Sequence, residues 1–458
     1  MPNEIEYSQS QAKTKNEKEG KRMKKTLCLI LSIIMSLSLL AVSAGAEAAT
    51  GFEGQTLKVA AFEGGFGSSY WQKICDDFAA AYGVTVELTA SPTIDDIVRP
   101  QMIAGEYPDI VFFNTADSVL HKEMVKEEAY VDLADVFAGP AIGKDCTLGE
   151  IIRDGILETT RFDPYHDGRV FLAPVDASVM CLIYNKTLFD ENGWTFPTTW
   201  DEFFALGDAA KEKGYSLFTY PGIYPTYNTP FVYGALASAI GVENLQKLEN
   251  YDASGLETEE AKQVFANVAK TVSEYLMPGT TGLNHTQSQS EFMLNKALII
   301  SNGDWICGEM ADAPMADGFE WAAAPSLKLN EDDTAYYQLS GAGFGIPTAA
   351  ENQELAKEFV RFFYTDQCQR YMCEAGMVCC TKNFLEVAED LIPEEKKPFL
   401  SLSDSAAGFS LNYVAVDSKL APETTMFDGL TAIANGDMDA ETWRQNTIDV
   451  FNRVAAGE

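Results

Sequence analysis

Short apolar runs of strand length alternate with amphipathic helical patterns in the first part of the chain. Residues 56–61 and 84–88 read as strands, and the segment between them places Ile74 and Phe78 on one helical face before Gly83. This alternation predicts an α/β fold with a mainly parallel sheet covered by helices on both faces. Ligands of such sheets bind beyond the carboxyl ends of the strands, which here are the loops 63–68 and 114–118.

Length and charge narrow the class of protein. The 458 residues exceed what one hydrophobic core usually organises, so we expect two domains. Hydrophobic residues make up 46% and charged residues 22%, the balance of a soluble globular protein. The net charge of −35 repels phosphate backbones and anionic lipids, so we expect neither nucleic acid nor a membrane surface as a partner.

The first 48 residues have the pattern of an export signal. A basic segment at 21–25 precedes an apolar run at 27–42, and small residues follow at Ala44, Ala46 and Ala48. We therefore expect cleavage after Ala46 or Ala48 and a periplasmic or extracellular protein. Cys28 opens the apolar run instead of following it, so a lipid anchor is not expected. Translation could start at Met1 or at Met23.

The sequence contains no motif typical of a metal site or a cofactor-binding loop. Eight cysteines follow the signal and allow 105 pairings, of which none is assigned. A metal cluster of Cys368, Cys373, Cys379 and Cys380 lacks the spacing of zinc sites, and buried thiols are the favoured interpretation. The three histidines form no metal motif, and the glycines at 341–345 run into a proline at 347, unlike a dinucleotide loop. We expect no metal and no cofactor.

Several motifs resemble bacterial extracellular solute-binding protein family 1, the sugar-binding subunits of ABC importers. Residues 182–189 read LIYNKTLF and lead into TTWDE at 198–202, similar to the family's Y-N-K-x-L-F and P-x-T-W-D-E pattern. Residues 102–111, 302–305 and 341–347 resemble its A-G-x-x-P-D, G-x-W and glycine-rich segments. Residues 218–227 and 303–310 are most similar to the N-acetylglucosamine/diacetylchitobiose-binding branch.

The resemblance implies a periplasmic-binding-protein fold of two α/β lobes joined by crossover strands, with the ligand cleft between them. The extension and signal then occupy 1–48. The first lobe takes 49–173 and 339–380, and the second lobe takes 174–338 and 381–458. Such a protein is expected to be a monomer that closes on a sugar and delivers it to the importer's transmembrane subunits.

A sugar site needs hydrogen-bond acceptors for the hydroxyl groups and aromatic side chains for the C–H faces. Loop positions and family motifs together give these candidate ligand-binding residues: Glu63, Phe66, Asn114, Asp117, Asp176, Tyr220, Tyr227, Asp304, Trp305 and Gly341. Asp117 and Asp176 could equally be helix caps or solvated loop charges. Packing inside a loop core is the alternative for Tyr220, Tyr227 and Trp305.

Two other functions are compatible with the sequence alone. An extracellular glycosidase would use two of the 68 Asp and Glu residues as a carboxylate pair, although the family motifs oppose an enzyme. Capture of ferric ion by Tyr336 and Tyr337 is disfavoured, because adjacent residues of a strand point to opposite faces.

Overall fold

The computed structural model describes residues 51–458 except 115–117, 154–155, 415 and 417. The predicted signal peptide and the candidate Asp117 therefore lie outside the described residues. Within the described part, every helix is too short or too polar to cross a membrane.

The strands fall into two sheets. In chain order they are β1 Thr56–Phe62, β2 Thr85–Ser91, β3 Ile110–Phe112, β4 Ala173–Pro174, β5 Ser178–Asn185, β6 Ser216–Thr219, β7 Ala297–Gly303, β8 Trp321–Ala324, β9 Tyr336–Ser340, β10 Gly343–Gly345 and β11 Ala407–Phe409. The first sheet has the order β2-β1-β3-β10-β4, and the second has the order β11-β9-β5-β7-β6, with β8 also pairing with β5.

Strand direction differs between the sheets. In the first sheet β1 is parallel to β2 and β3, as predicted, and β10 runs antiparallel to β3 and β4. In the second sheet β5 is antiparallel to β7, β8 and β9, so the expectation of a mainly parallel sheet is wrong there. The reason is that β5 enters this sheet directly from β4 at the edge where β7 and β9 end.

Helices connect the strands and cover the sheets. They are α1 Ser69–Tyr82, α2 Ile94–Ile103, α3 Val119–Lys126, α4 Ala134–Ala138, α5 Leu148–Ile151, α6 Lys186–Asn192, α7 Trp200–Glu212, α8 Thr229–Ile240, α9 Val242–Gln246, α10 Glu259–Lys270, α11 His285–Met293, α12 Ile306–Glu309, α13 Gln353–Phe363, α14 Asp366–Glu374, α15 Phe384–Ala388, α16 Lys397–Leu400, α17 Pro422–Ala434 and α18 Ala440–Ala455.

Local sequence signals set many helix ends. Thr199 and Glu202 have the spacing of a capping box and form one at the start of α7, and Thr258 and Asp439 cap α10 and α18. Gly83 ends α1 with a φ of 66°, a conformation that glycine adopts without strain. The helical pattern over 354–374 suggests one helix from sequence alone, but it forms two, α13 and α14, because Thr365 between them has an extended backbone.

Separate hydrophobic cores give the molecule its two lobes. One core beneath the first sheet includes Val111 and Phe171, and the largest core lies against the second sheet around Phe218 and Leu236. The chain passes from β4 to β5 through residues 175–177 and from β9 to β10 through residues 341–342. This is the predicted two-lobed α/β fold with crossover segments. The residue numbers at which the lobes divide stay a prediction.

Candidate functional site

Several strands of the second sheet end at one edge. β5 begins there, since Met180 pairs with Gly303 at the end of β7 and Ser178 pairs with Ser340 at the end of β9. β6 is parallel to β7, so Tyr220 follows β6 at the same edge. The loops after these strands therefore form one surface, and the crossover segments join it to the first lobe.

Gly341 lies where the two crossover segments touch. Val175 donates its N–H to the Ala342 carbonyl at 2.8 Å, and a methyl group added at Gly341 would lie 2.8 Å from the Asp176 carbonyl oxygen. Only glycine permits this backbone approach. A third segment joins them, because Ala177 donates its N–H to the Val378 carbonyl at 2.8 Å.

Asp176 is buried within these crossing segments. Its side chain accepts hydrogen bonds from the Ala342 N–H at 2.8 Å and from the Ser178 hydroxyl. Burial raises the pKa of Asp176 to about 6, against the lowering effect of these two hydrogen bonds. The structure gives this carboxylate internal partners, and direct contact with a ligand stays a prediction.

Asp304 is also buried, with an exposed fraction of 0%. Its Oδ2 lies 3.4 Å from Nζ of Lys396, which also donates to the Asp304 main-chain carbonyl. Burial raises the pKa of Asp304, and the Lys396 ammonium opposes that rise. Oδ1 has no hydrogen-bond partner among the described residues. Asp304 and Lys396 thus form a buried ion pair whose acid retains one free acceptor.

Tyr227 and Trp305 form an aromatic pair at this edge. Their ring centroids are 6.2 Å apart at an interplanar angle of 79°, and both side chains are partly exposed. The indole folds back over Gly303, where an added methyl group would lie 2.2 Å from the ring. From the first lobe, Phe66 reaches the same region, with its ring centroid 5.1 Å from Nζ of Lys396. The edge therefore offers aromatic surface from both lobes.

The other candidates occupy different environments. Tyr220 is fully buried, and burial raises the pKa of its hydroxyl, which lacks a partner among the described residues. Glu63 follows β1, is partly exposed and accepts a hydrogen bond from the Ser68 hydroxyl at 2.9 Å. Asn114 follows β3, is partly exposed, and its carbonyl accepts the N–H of Ser118 at 2.8 Å. Glu63 and Asn114 thus belong to the first-lobe side.

Sequence reasoning missed four polar residues of this region. Gln289, which is fully buried, donates to Glu309 Oε2 at 2.8 Å. Glu309 is four residues beyond Trp305, a helical spacing that could have revealed it. Lys396 and Arg161 carry no local signal, since their roles depend on distant partners. Burial lowers the pKa of Arg161, and the negative charges of Glu423 and Asp176 oppose that lowering.

Metal binding has no support among the described residues, where no group of three or more His, Cys, Asp or Glu could hold an ion. The eight cysteines of this part of the chain are free, and seven of them are buried. Tyr336 packs against the largest core and Tyr337 against another, on opposite faces of β9. The two phenols therefore do not converge on one ligand.

Comparison with known proteins gives the family. The model for bacterial extracellular solute-binding proteins matches residues 73–395. The diacetylchitobiose binding protein of Streptomyces coelicolor is 29% identical over 321 residues, covering 68% of this chain and 66% of that protein. The maltotriose-binding protein of Pyrococcus abyssi is 24% identical over 312 residues, covering 65% of this chain and 59% of that protein. The matches thus span about two thirds or less of these relatives' own length.

Solved structures share the fold across nearly their whole length. A chitin oligosaccharide binding protein superposes with a TM-score of 0.67 at 19% identity, covering 89% of this chain and 100% of its own. The binding protein RafE in complex with raffinose gives a TM-score of 0.64 at 17% identity, covering 87% and 99%. Two lobes around an edge of strand ends and a family match over most of the sequence lead to one conclusion: this chain belongs to the bacterial extracellular solute-binding protein family.

Proposed function

We propose that this chain is the substrate-binding subunit of an ABC importer and that it captures a mono- or oligosaccharide between its lobes. The observation that carries the proposal is the partly exposed Tyr227–Trp305 pair at the strand-end edge of the second sheet, with Phe66 arriving from the first lobe. Sugar rings present C–H faces that pack on aromatic rings. A pair at a steep angle could contact two faces of one ligand.

Polar groups around the aromatic pair suit a hydroxyl-rich ligand. Glu63 and Asn114 on the first-lobe side and Glu309 on the second-lobe side are at least partly exposed and can accept hydrogen bonds. Asp176, Asp304 and Gly341 are better placed as the framework that holds the crossing segments and the aromatic loop. We also propose Asp117, which lies outside the described residues, as a ligand-binding residue on the loop after β3.

The relatives support the same class of ligand. Their names specify diacetylchitobiose and maltotriose, and the superposed structures include a complex with raffinose. These ligands are oligosaccharides of different linkage, so the shared chemistry is the sugar ring itself. We propose a sugar ligand on this basis and the importer's transmembrane subunits as the partner that receives it, with the protein acting as a monomer.

Titration calorimetry against mono- and oligosaccharides tests the proposal. The panel contains diacetylchitobiose, maltotriose, raffinose and their component monosaccharides, with a peptide and a polyamine as controls of other chemistry. We expect saturable binding of at least one sugar and no release of reducing ends on prolonged incubation. Binding of the peptide or polyamine alone would contradict the sugar assignment, and release of reducing ends would favour a glycosidase.

Export is a separate proposal. The pattern at residues 21–48 supports cleavage after Ala46 or Ala48 without attachment of lipid. Mass spectrometry of protein secreted by a bacterial host should find a mature chain beginning at Glu47 or Ala49. An acylated cysteine at the mature end would contradict the proposal.

A further inference from the structure

Glu309 shares a helix face with the aromatic residue Trp305. The Glu309 N–H donates to the Trp305 carbonyl at 3.0 Å, the hydrogen bond of one helical turn. Residues four apart in a helix lie one above the other, so the carboxylate extends the surface that the indole begins. Glu309 is exposed, and its carboxylate can therefore reach a ligand that lies against Trp305.

A buried amide fixes this carboxylate. Gln289, with an exposed fraction of 0%, donates from Nε2 to Glu309 Oε2 at 2.8 Å. Its own Oε1 has no hydrogen-bond partner among the described residues, which is costly for a buried polar atom. Gln289 therefore holds Glu309 Oε2 in place even though its own oxygen is left unpaired among the described residues.

The first lobe meets Glu309 at Gly65. A methyl group added at Gly65 would lie 2.7 Å from Cγ and 3.0 Å from Oε1 of Glu309. Gly308 also lies close to Gly65, since a methyl group added at Gly308 would be 3.1 Å from the Gly65 carbonyl oxygen. The Glu309 carboxylate therefore lies at the boundary between the lobes.

Two basic side chains act on the Glu309 carboxylate. Burial raises the pKa of Glu309, and the Gln289 hydrogen bond, His285 and Lys396 oppose that rise. The Lys396 ammonium is itself buried, paired with Asp304 and placed over the Phe66 ring. His285, one turn before Gln289 in α11, contacts the Tyr224 ring, with centroids 6.0 Å apart. A ligand carboxylate or phosphate would be repelled by the Glu309 carboxylate, whereas an ammonium, amide N–H or hydroxyl group would be attracted.

We propose that Glu309, positioned by Gln289, selects the charge of the ligand: it accepts hydrogen bonds from neutral or amino sugars and excludes acidic sugars. This inference rests on the proposed sugar-binding function and adds a ligand class to it. Glu309 is the specificity-determining residue. Gln289 is a positioning residue that acts through it.

The test uses three ligands that share one skeleton and differ in charge. They are N,N'-diacetylchitobiose, its de-N-acetylated diamine, and its C6-oxidised uronate, each titrated into the full mature chain. We expect the wild type to bind the diamine and the neutral sugar at least about tenfold more tightly than the uronate. Glu309→Gln should reduce the ratio of diamine to uronate affinity by about tenfold or more, with little change in melting temperature.

Matched variants separate selection from general damage. Glu212→Gln removes the same charge from an exposed position at the end of α7, and it should leave the ratio unchanged. Gln289→Met keeps the length of the side chain but removes the donor to Glu309, and it should shift the ratio in the same direction by a smaller factor. Gly65→Ala, which displaces Glu309 without touching its charge, should lower all three affinities.

Three results would overturn the inference, and they differ from a failure of the proposed function. An unchanged ratio in Glu309→Gln contradicts charge selection. So does a uniform loss of affinity for all three ligands accompanied by a lower melting temperature, which indicates a structural role. An equal shift in Glu212→Gln would indicate a long-range effect of net charge. Failure of the wild type to bind these ligands and every sugar of the calorimetric panel would instead remove the proposed function itself.

Discussion

Replacing Asp176 by asparagine separates a framework role from a ligand contact. The side chain has an exposed fraction of 4% and accepts from the Ala342 N–H at 2.8 Å and from the Ser178 hydroxyl. Asparagine keeps an acceptor for the Ala342 N–H and presents a donor to the Ser178 oxygen. Asp176→Asn therefore removes the buried charge while the hydrogen bonds at the crossing segments can persist.

The pKa of Asp176 sets the size and sign of the effect. Burial raises it from an ordinary value of 3.8 to about 6, so in the folded protein the charged form is disfavoured. The raised pKa contributes stability below pH 3.8, and that contribution is lost as the pH rises through about 6. A shift of about two pKa units corresponds to about 3 kcal/mol of unfolding free energy at neutral pH. Asp176→Asn should recover part of this lost unfolding free energy at pH 7.

Urea unfolding at several pH values measures the effect. Between pH 4 and pH 7 the unfolding free energy of the wild type should fall relative to Asp176→Asn, by up to about 3 kcal/mol. Asp428→Asn, an exposed substitution within α17, serves as the charge-matched control and should follow the wild type. Sugar affinity of Asp176→Asn should be close to that of the wild type. A variant that loses stability at pH 7, or that folds normally but no longer binds sugar, would contradict the framework role of Asp176.

Three further substitutions test the other parts of the site. Trp305→Ala should weaken sugar binding by about 1–3 kcal/mol, by analogy with aromatic–ring stacking, and barely change the melting temperature. A large loss of stability with unchanged sugar affinity would show that the indole has a structural role instead. Lys396→Met should lower the unfolding free energy by about 3–5 kcal/mol, because the charge of Asp304 is left buried. In chemical denaturation, the double variant with Asp304→Asn should regain part of this free energy. Equal stability of the single and double variants would contradict a buried ion pair. Gly341→Ala should cost about 1–3 kcal/mol through its contact with the Asp176 carbonyl, and a thermal scan matching the wild type would show that the crossing segments can separate.

The sequence predicts those features that depend on neighbouring residues. The capping box of Thr199 and Glu202, the caps Thr258 and Asp439, and the strand over 297–301 need only local patterns, and all are present in the structure. The family motifs gave the two-lobed fold because they extend over most of the chain. Local reasoning failed for strand direction, since β5 is antiparallel to its neighbours as a result of the path between the lobes.

The site was less predictable because burial and long-range partners decide it. Loop position and family motifs proposed Trp305 and Tyr227, which the structure leaves partly exposed, but they could not reveal that Tyr220 and Asp304 are fully covered. The pairing of Asp304 with Lys396 joins residues 92 apart in sequence, and no local pattern indicates it. Glu309 was missed because a residue's charge matters only after the fold brings Gln289 to it.

Hydrogen exchange with and without sugar tests most directly whether the ligand is held between the lobes. The measurement follows the amides of two segments, 63–68 from the first lobe and 303–309 from the second, in the presence of the tightest ligand from the calorimetric panel. Capture between the lobes predicts that both segments slow their exchange together and at the same ligand concentration. Protection confined to one segment, or absent from both while the sugar is bound, would contradict capture between the lobes.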